Sequence, residues 1–140
     1  MKSSPLLLAA LLVGVHGKMQ NITVKGFTVC REEVMPGVQV ELWQRHLCFP
    51  DRLLDTMVTS KNGRFIVKGR EDDSLHYQTF LKFTHTCNVA WVCRRVTELG
   101  IPESEIGTVY DLSAVVLTGM SEVDRLQCFE MTTSRHCREL

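Results

Sequence analysis

The stretch from Thr79 to Cys93, Thr-Phe-Leu-Lys-Phe-Thr-His-Thr-Cys-Asn-Val-Ala-Trp-Val-Cys, constrains the fold more than any other. Leu81 and Phe83 fall on one face of an extended chain, Lys82 and Thr84 on the other. That period of two marks a half-buried β-strand. The strand runs into a short turn flanked by two cysteines six positions apart. A strand with one apolar face needs a second layer to bury it.

The remainder of the chain supplies strands for that purpose. Ile22 to Cys30 is the first, with Gly26 inside it, where a glycine marks a bulge or a close backbone approach. Val38, Val40 and Leu42 then alternate with Gln39, Glu41 and Trp43. Leu53–Thr59 and Arg64–Lys68 follow, and Ser60-Lys61-Asn62-Gly63 between them predicts a hairpin closed by a type I′ turn. Cys93–Leu99 returns from the opening stretch, and Thr108–Leu117 is the last strand, with Tyr110, Leu112, Ala114 and Val116 on one face. Pro36-Gly37 ends the turn Arg31–Gly37, and His46–Asp51 is a loop holding Cys48 and Pro50. Gly69–Ser74 reads as a solvated loop, its trio Glu71, Asp72 and Asp73 lacking the ligand spacing of a calcium loop. Ile101–Glu105 predicts one short helical turn, and the chain beyond Gly119 a tail fastened by its cysteines. About seven short strands without a long helix predict an all-β sandwich.

The two ends set the compartment. Met1-Lys2, the apolar run Leu6–Val15 and Val15-His16-Gly17 have the layout of a cleaved signal peptide over 1–17, and the run is too short to span a bilayer. The folded domain is therefore expected over 18–128, with 129–140 as a C-terminal tail. Cleavage removes Lys2 from 16 basic and 16 acidic residues, leaving a net charge near −1. Such a balance excludes the concentrated basic face of a nucleic-acid binder and a polybasic membrane-surface protein. Asn21-Ile22-Thr23 is a glycosylation acceptor. The cysteines Cys30, Cys48, Cys87, Cys93, Cys128 and Cys137 are an even set, read as disulfides in an oxidising compartment with 15 possible full pairings. Their spacing does not suit zinc, so no metal or other cofactor is expected.

The order of these features resembles the nematode transthyretin-like family. Val24-Lys25-Gly26 leads to Cys30, Pro36-Gly37-Val38-Gln39-Val40-Glu41-Leu42-Trp43 and Leu53-Leu54-Asp55 follow, then Thr59-Ser60-Lys61-Asn62-Gly63-Arg64-Phe65. Leu81-Lys82-Phe83-Thr84-His85-Thr86-Cys87, Cys93-Arg94-Arg95-Val96, Ile101-Pro102 and Tyr110-Asp111-Leu112 complete the series, with Cys128 as its closing cysteine. The resemblance, over roughly 22–128, implies a disulfide-reinforced transthyretin-like sandwich of two antiparallel sheets, exported from the cell. It implies first and last core strands lying side by side in the same direction, hence a pairing Cys30–Cys128, while Cys87 and Cys93, at the end and the start of two successive strands, are expected to bridge the turn between them. Cys48 and Cys137 are then left to pair with each other or to cross-link two chains.

Candidate site residues are few. His85 shares the face of Leu81 and Phe83 and reads as a structural histidine; His16, His46, His76 and His136 form no metal or catalytic pattern with it. The transthyretin fold includes a hydrolase of 5-hydroxyisourate that ends in Tyr-Arg-Gly-Ser, whereas this sequence ends His136-Cys137-Arg138-Glu139-Leu140. No catalytic role is expected. Lys82, Arg94 and Arg95 could form a basic spot for lipid head groups or an anionic receptor, and Trp43 and Trp91 could anchor a partner. The expectation is a secreted extracellular binding or adaptor protein for a lipid, small apolar ligand or cell-surface partner. A hydrolase or a structural extracellular protein is the alternative.

Overall fold

Alternating apolar residues are expressed as two sheets packed face to face. The computed structural model describes residues 19–46, 48–72, 78–90, 92–119 and 123–128. The expected signal peptide 1–17 with His16, residues Asp73, Ser74, His76 and Trp91, and the tail 129–140 with His136 and Cys137 lie outside the described residues.

The first sheet is built on β1 (Met19–Cys30). One of its edges pairs antiparallel with β5 (Arg64–Asp72) and then with the two-residue β2 (Glu33–Val34). The other pairs in parallel with β8 (Val109–Val116), as the family topology implied. The second sheet has the order β4-β3-β6-β7-β9, all antiparallel. These strands are β3 (Gln39–Arg45), β4 (Arg52–Val58), β6 (Gln78–His85), β7 (Cys93–Gly100) and β9 (Val123–Cys128). A single 3₁₀ turn occupies Glu103–Glu105, where a helical turn was expected.

Period-two faces meet in the core. Ile22, Val24, Phe65 and Val67 from the first sheet face Val40, Leu42, Leu81 and Phe83 from the second. The rings of Phe65 and Phe83 meet edge to face at 5.6 Å. Burying one such side chain contributes about 1.5–3 kcal/mol.

The last core strand departs from its expected face. Ser113 has φ +56°, and the β1–β8 register shifts between Lys25 and Phe27. This bulge inserts one residue and exchanges the faces. Tyr110 and Leu112 point inward before it, and Val115 and Leu117 after it, while Ala114 and Val116 are exposed. Gly26 makes room for the bulge, since a Cβ there would stand 2.9 Å from the Ser113 carbonyl oxygen.

Ser60–Gly63 closes no sheet hairpin. Its Gly63 N–H donates to the Ser60 carbonyl and Gly63 has φ +71°, but Asn62 does not take the positive φ of a type I′ turn. β4 and β5 then part into opposite sheets, because β4 pairs with β3 instead. Side chains replace the missing rungs: the Ile66 N–H donates to Met57 Sδ at 3.1 Å and the Lys68 N–H to Asp55 Oδ2 at 2.8 Å. The tight two-residue hairpin lies instead at Arg31-Glu32, joining Cys30 to its partner Glu33, with φ values of +53° and +67°.

Gly69–Asp72 is not a solvated loop. It continues β5 alongside β1, and Glu71 is buried. The chain beyond Gly119 is not wholly a tail, because β9 is hydrogen-bonded to β7.

The disulfides correct the implied pairing. They are Cys30–Cys87 and Cys93–Cys128. Cys30 continues the inward parity of Val24 and Thr28, and Cys87 that of Phe83 and His85, so the bridge crosses the sandwich. Cys93 and Cys128 are direct partners on β7 and β9. Cys128 could not stay near Cys30 once the chain left β8 for the far edge of the second sheet. Cys48 is an exposed free thiol.

Candidate binding surfaces

His85 is buried, and its surroundings dictate its protonation. The Cys87 backbone N–H donates to Nδ1 at 3.1 Å, so Nδ1 is an acceptor and the ring proton sits on Nε2. Nε2 then donates to Thr97 Oγ1 at 3.0 Å, and the Thr97 hydroxyl donates to Asp124 Oδ1 at 3.0 Å. Asp124 also forms an ion pair with Arg95, which reaches the Cys87 carbonyl at 3.4 Å. Burial, reinforced by the positive charge of Arg95 and opposed by Asp124, pushes the imidazole pKa down to about 4. The cluster ties β6, β7 and β9 together beside Cys87. Its histidine is closed off from solvent, and no described cleft reaches it.

The expected basic spot is divided. Arg94 and Arg95 are successive residues of β7 and project to opposite faces of the second sheet. Arg95 is half-buried in the His85 cluster, while Arg94 is exposed on the outer face. Lys82 shares that outer face, where its Nζ lies 5.5 Å from the Trp43 ring centroid. Arg45 lies 4.3 Å over the Phe80 ring and pairs with Glu98 at 3.2 Å, and Arg125 grips the other oxygen of Glu98 at 3.3 Å. Aromatic side chains on this face are thus largely roofed by cations, and Trp43 is only partly exposed. Trp91, the other expected anchor, lies outside the described residues.

The outer face of the first sheet is different. Ile66, Val109, Val116 and Val34 are each about half exposed there. A cleft of about 370 Å³ opens on this face. Phe27, Ile66, Met57 and the edge of Phe65 form its apolar lining, and Lys25, Arg64 and Asp111 its charged rim. Lys25 and Asp111 stand 3.9 Å apart across neighbouring strands. Gly26 belongs to the floor, so the residue that admits the bulge also lets the cleft reach the edge of the otherwise buried Phe65 ring. Sequence reasoning missed this site. The signal was Ile66, an apolar residue of opposite parity to the buried Phe65 and Val67.

These elements are those of a known family. A model of the Transthyretin-like family matches residues 25–102. The chain belongs to the transthyretin-like family. It is 39% identical to Transthyretin-like protein 16 of Caenorhabditis elegans, over 80% of this chain and 86% of that protein. Transthyretin-like protein 5 of the same organism is 29% identical over 81% of this chain and 88% of its own length. Transthyretin-like protein 46 is 31% identical over 72% of this chain and 58% of its own. The family match takes in β3 to β7, both cysteines of the cross-sandwich bridge and most of the cleft lining. β8 and β9 lie beyond it, and with them Asp111, Asp124 and Cys128.

Asn21, the glycosylation acceptor, is exposed on β1 opposite Arg70. No helix of the described residues is long and apolar enough to cross a membrane.

Proposed function

We propose that the protein is a secreted extracellular binding or adaptor protein that takes a small apolar ligand, or an apolar group of a lipid or receptor, in the cleft over Gly26. The observation that carries this reading is the pairing of an open apolar lining with a charged rim on a sheet face that carries half-exposed Ile66, Val109 and Val116. Ligand sites are concave and mostly apolar, with a few polar groups that fix orientation. Lys25, Arg64 and Asp111 are suited to that orienting task. Two disulfides and family membership favour folding in an oxidising compartment, which supports export through residues 1–17 and a glycan on Asn21.

The proposal is of a protein without catalytic activity. What supports this is the buried His85, whose ring nitrogens are both engaged by the interior, by the Cys87 N–H and by Thr97. The test is to express the chain with its leader, recover it from the medium, and extract bound small molecules and lipids for mass spectrometry. A co-purified apolar ligand, lost on Ile66→Arg with the fold intact, is the expected result. Recovery of the chain only inside the cell, or turnover of 5-hydroxyisourate, would overturn the reading.

A further inference from the structure

We propose that the cleft where the N-terminal end of β4 meets the C-terminal end of β5 binds a small ligand carrying an ammonium group and, at its far end, an anionic group. The residue that commits the site to this chemistry is Glu71, only 8% exposed. Its Oε2 accepts hydrogen bonds from Gln44 Nε2 at 3.2 Å and from Thr79 Oγ1 at 3.1 Å. Both donors are neutral and themselves buried. Among the described residues no cationic side chain pairs with this carboxylate. A buried carboxylate without a countercharge is costly, even when hydrogen-bonded. A ligand cation would supply a countercharge that no described residue provides.

Room for such a ligand exists. Glu71 and Gln44 line a cleft of about 440 Å³, to which Asp72 adds a second carboxylate. Its width depends on Gly69, where a Cβ would stand 2.8 Å from Leu54 Cδ1. Arg52 and Arg70 also line the cleft, are exposed, and make no ion pair among the described residues. Two unpaired guanidinium groups would repel a bare cation but attract a ligand whose other end is negative. A calcium ion fits less well, because it takes six to eight oxygen ligands. Among the described residues no three acidic, histidine or cysteine side chains form a metal-holding group. The site is separate from the cleft over Gly26, and its occupancy does not depend on that proposal.

The probes are 6-aminohexanoate, hexylamine, hexanoate and calcium chloride, titrated into the oxidised secreted protein and followed by calorimetry and the Gln44 side-chain amide signal in NMR. The expected order is 6-aminohexanoate above hexylamine, with hexanoate and calcium inert. Glu71→Gln, which keeps the shape of the side chain, should weaken 6-aminohexanoate at least tenfold. Arg52→Gln with Arg70→Gln should reduce it to the level of hexylamine. Ile66→Arg should leave it unchanged, which separates this site from the apolar cleft. Binding undiminished by Glu71→Gln, hexanoate equal to 6-aminohexanoate, or calcium alone moving the Gln44 signal would each overturn the proposal. If Glu71→Gln fails to fold, the ranking of the four probes on the native chain decides.

Discussion

His85 accepts one hydrogen bond from the backbone and passes another to Thr97, an arrangement that only the neutral ring satisfies. Its depressed pKa means that the unfolded chain takes up a proton between about pH 6.5 and about pH 4 while the folded chain does not. The stabilisation is therefore complete above about pH 6.5 and is lost as pH falls toward about 4, amounting to about 3 kcal/mol. Urea midpoints at pH 7, 5.5 and 4 should show this loss, and His85→Gln should flatten it across the same interval. An unaltered pH profile in His85→Gln would remove the histidine from the explanation. Thr97→Val leaves the ring N–H and Asp124 short of a partner and should cost about 1–3 kcal/mol at pH 7, read from the same midpoints. The inward face of His85 could be read from the sequence by its parity with Leu81 and Phe83. Its partners could not, because Asp124 lies on a strand that polar composition did not announce.

At the level of elements, the strands were legible wherever apolar residues alternate, and they failed where something other than hydropathy decides. β9 lacks an alternating apolar face, and it holds its place through six residue pairs with β7, the Cys93–Cys128 link and the contacts of Asp124 with Thr97 and Arg95. The Ser113 bulge put the second half of β8 on the opposite face from the one expected, since a one-residue insertion exchanges parity without altering composition. Gly26→Ala tests that packing directly: the added methyl meets the Ser113 carbonyl and the Phe65 ring, and a loss of about 1–3 kcal/mol is expected in chemical denaturation. The Arg31-Glu32 turn presents the opposite case. Both residues hold left-handed backbone, which costs about 1–2 kcal/mol each for residues with a Cβ. Replacing the pair by Asn-Gly should raise the melting temperature, and an unchanged or lower value would show that the hydrogen bond from Arg31 Nε to Asn88 Oδ1 outweighs the relief.

For the whole molecule, the disulfide map is the most direct check. Peptide mapping without reduction should yield Cys30 joined to Cys87 and Cys93 joined to Cys128, with Cys48 open to alkylation. The cross-sandwich bridge encloses a separation of 57 residues, and Cys30→Ser with Cys87→Ser should cost about 2–4 kcal/mol. Parity alone placed both cysteines on facing inner surfaces, so this pairing was within reach of the sequence. The family topology drew attention instead to strand ends, which misplaced Cys128. One further property follows from the parallel alignment of β1 with β8, whose residues Thr23 and Val109 are partners. A ribosome makes β1 first, yet one of its two edges has no partner until nearly the whole domain has been synthesised. Pairings so distant along the chain make folding slow, on a scale of milliseconds to seconds. The oldest strand in the nascent chain is thus among the last to be finished, and Ile22 and Val24 must wait in a half-built sheet until the last core strand arrives.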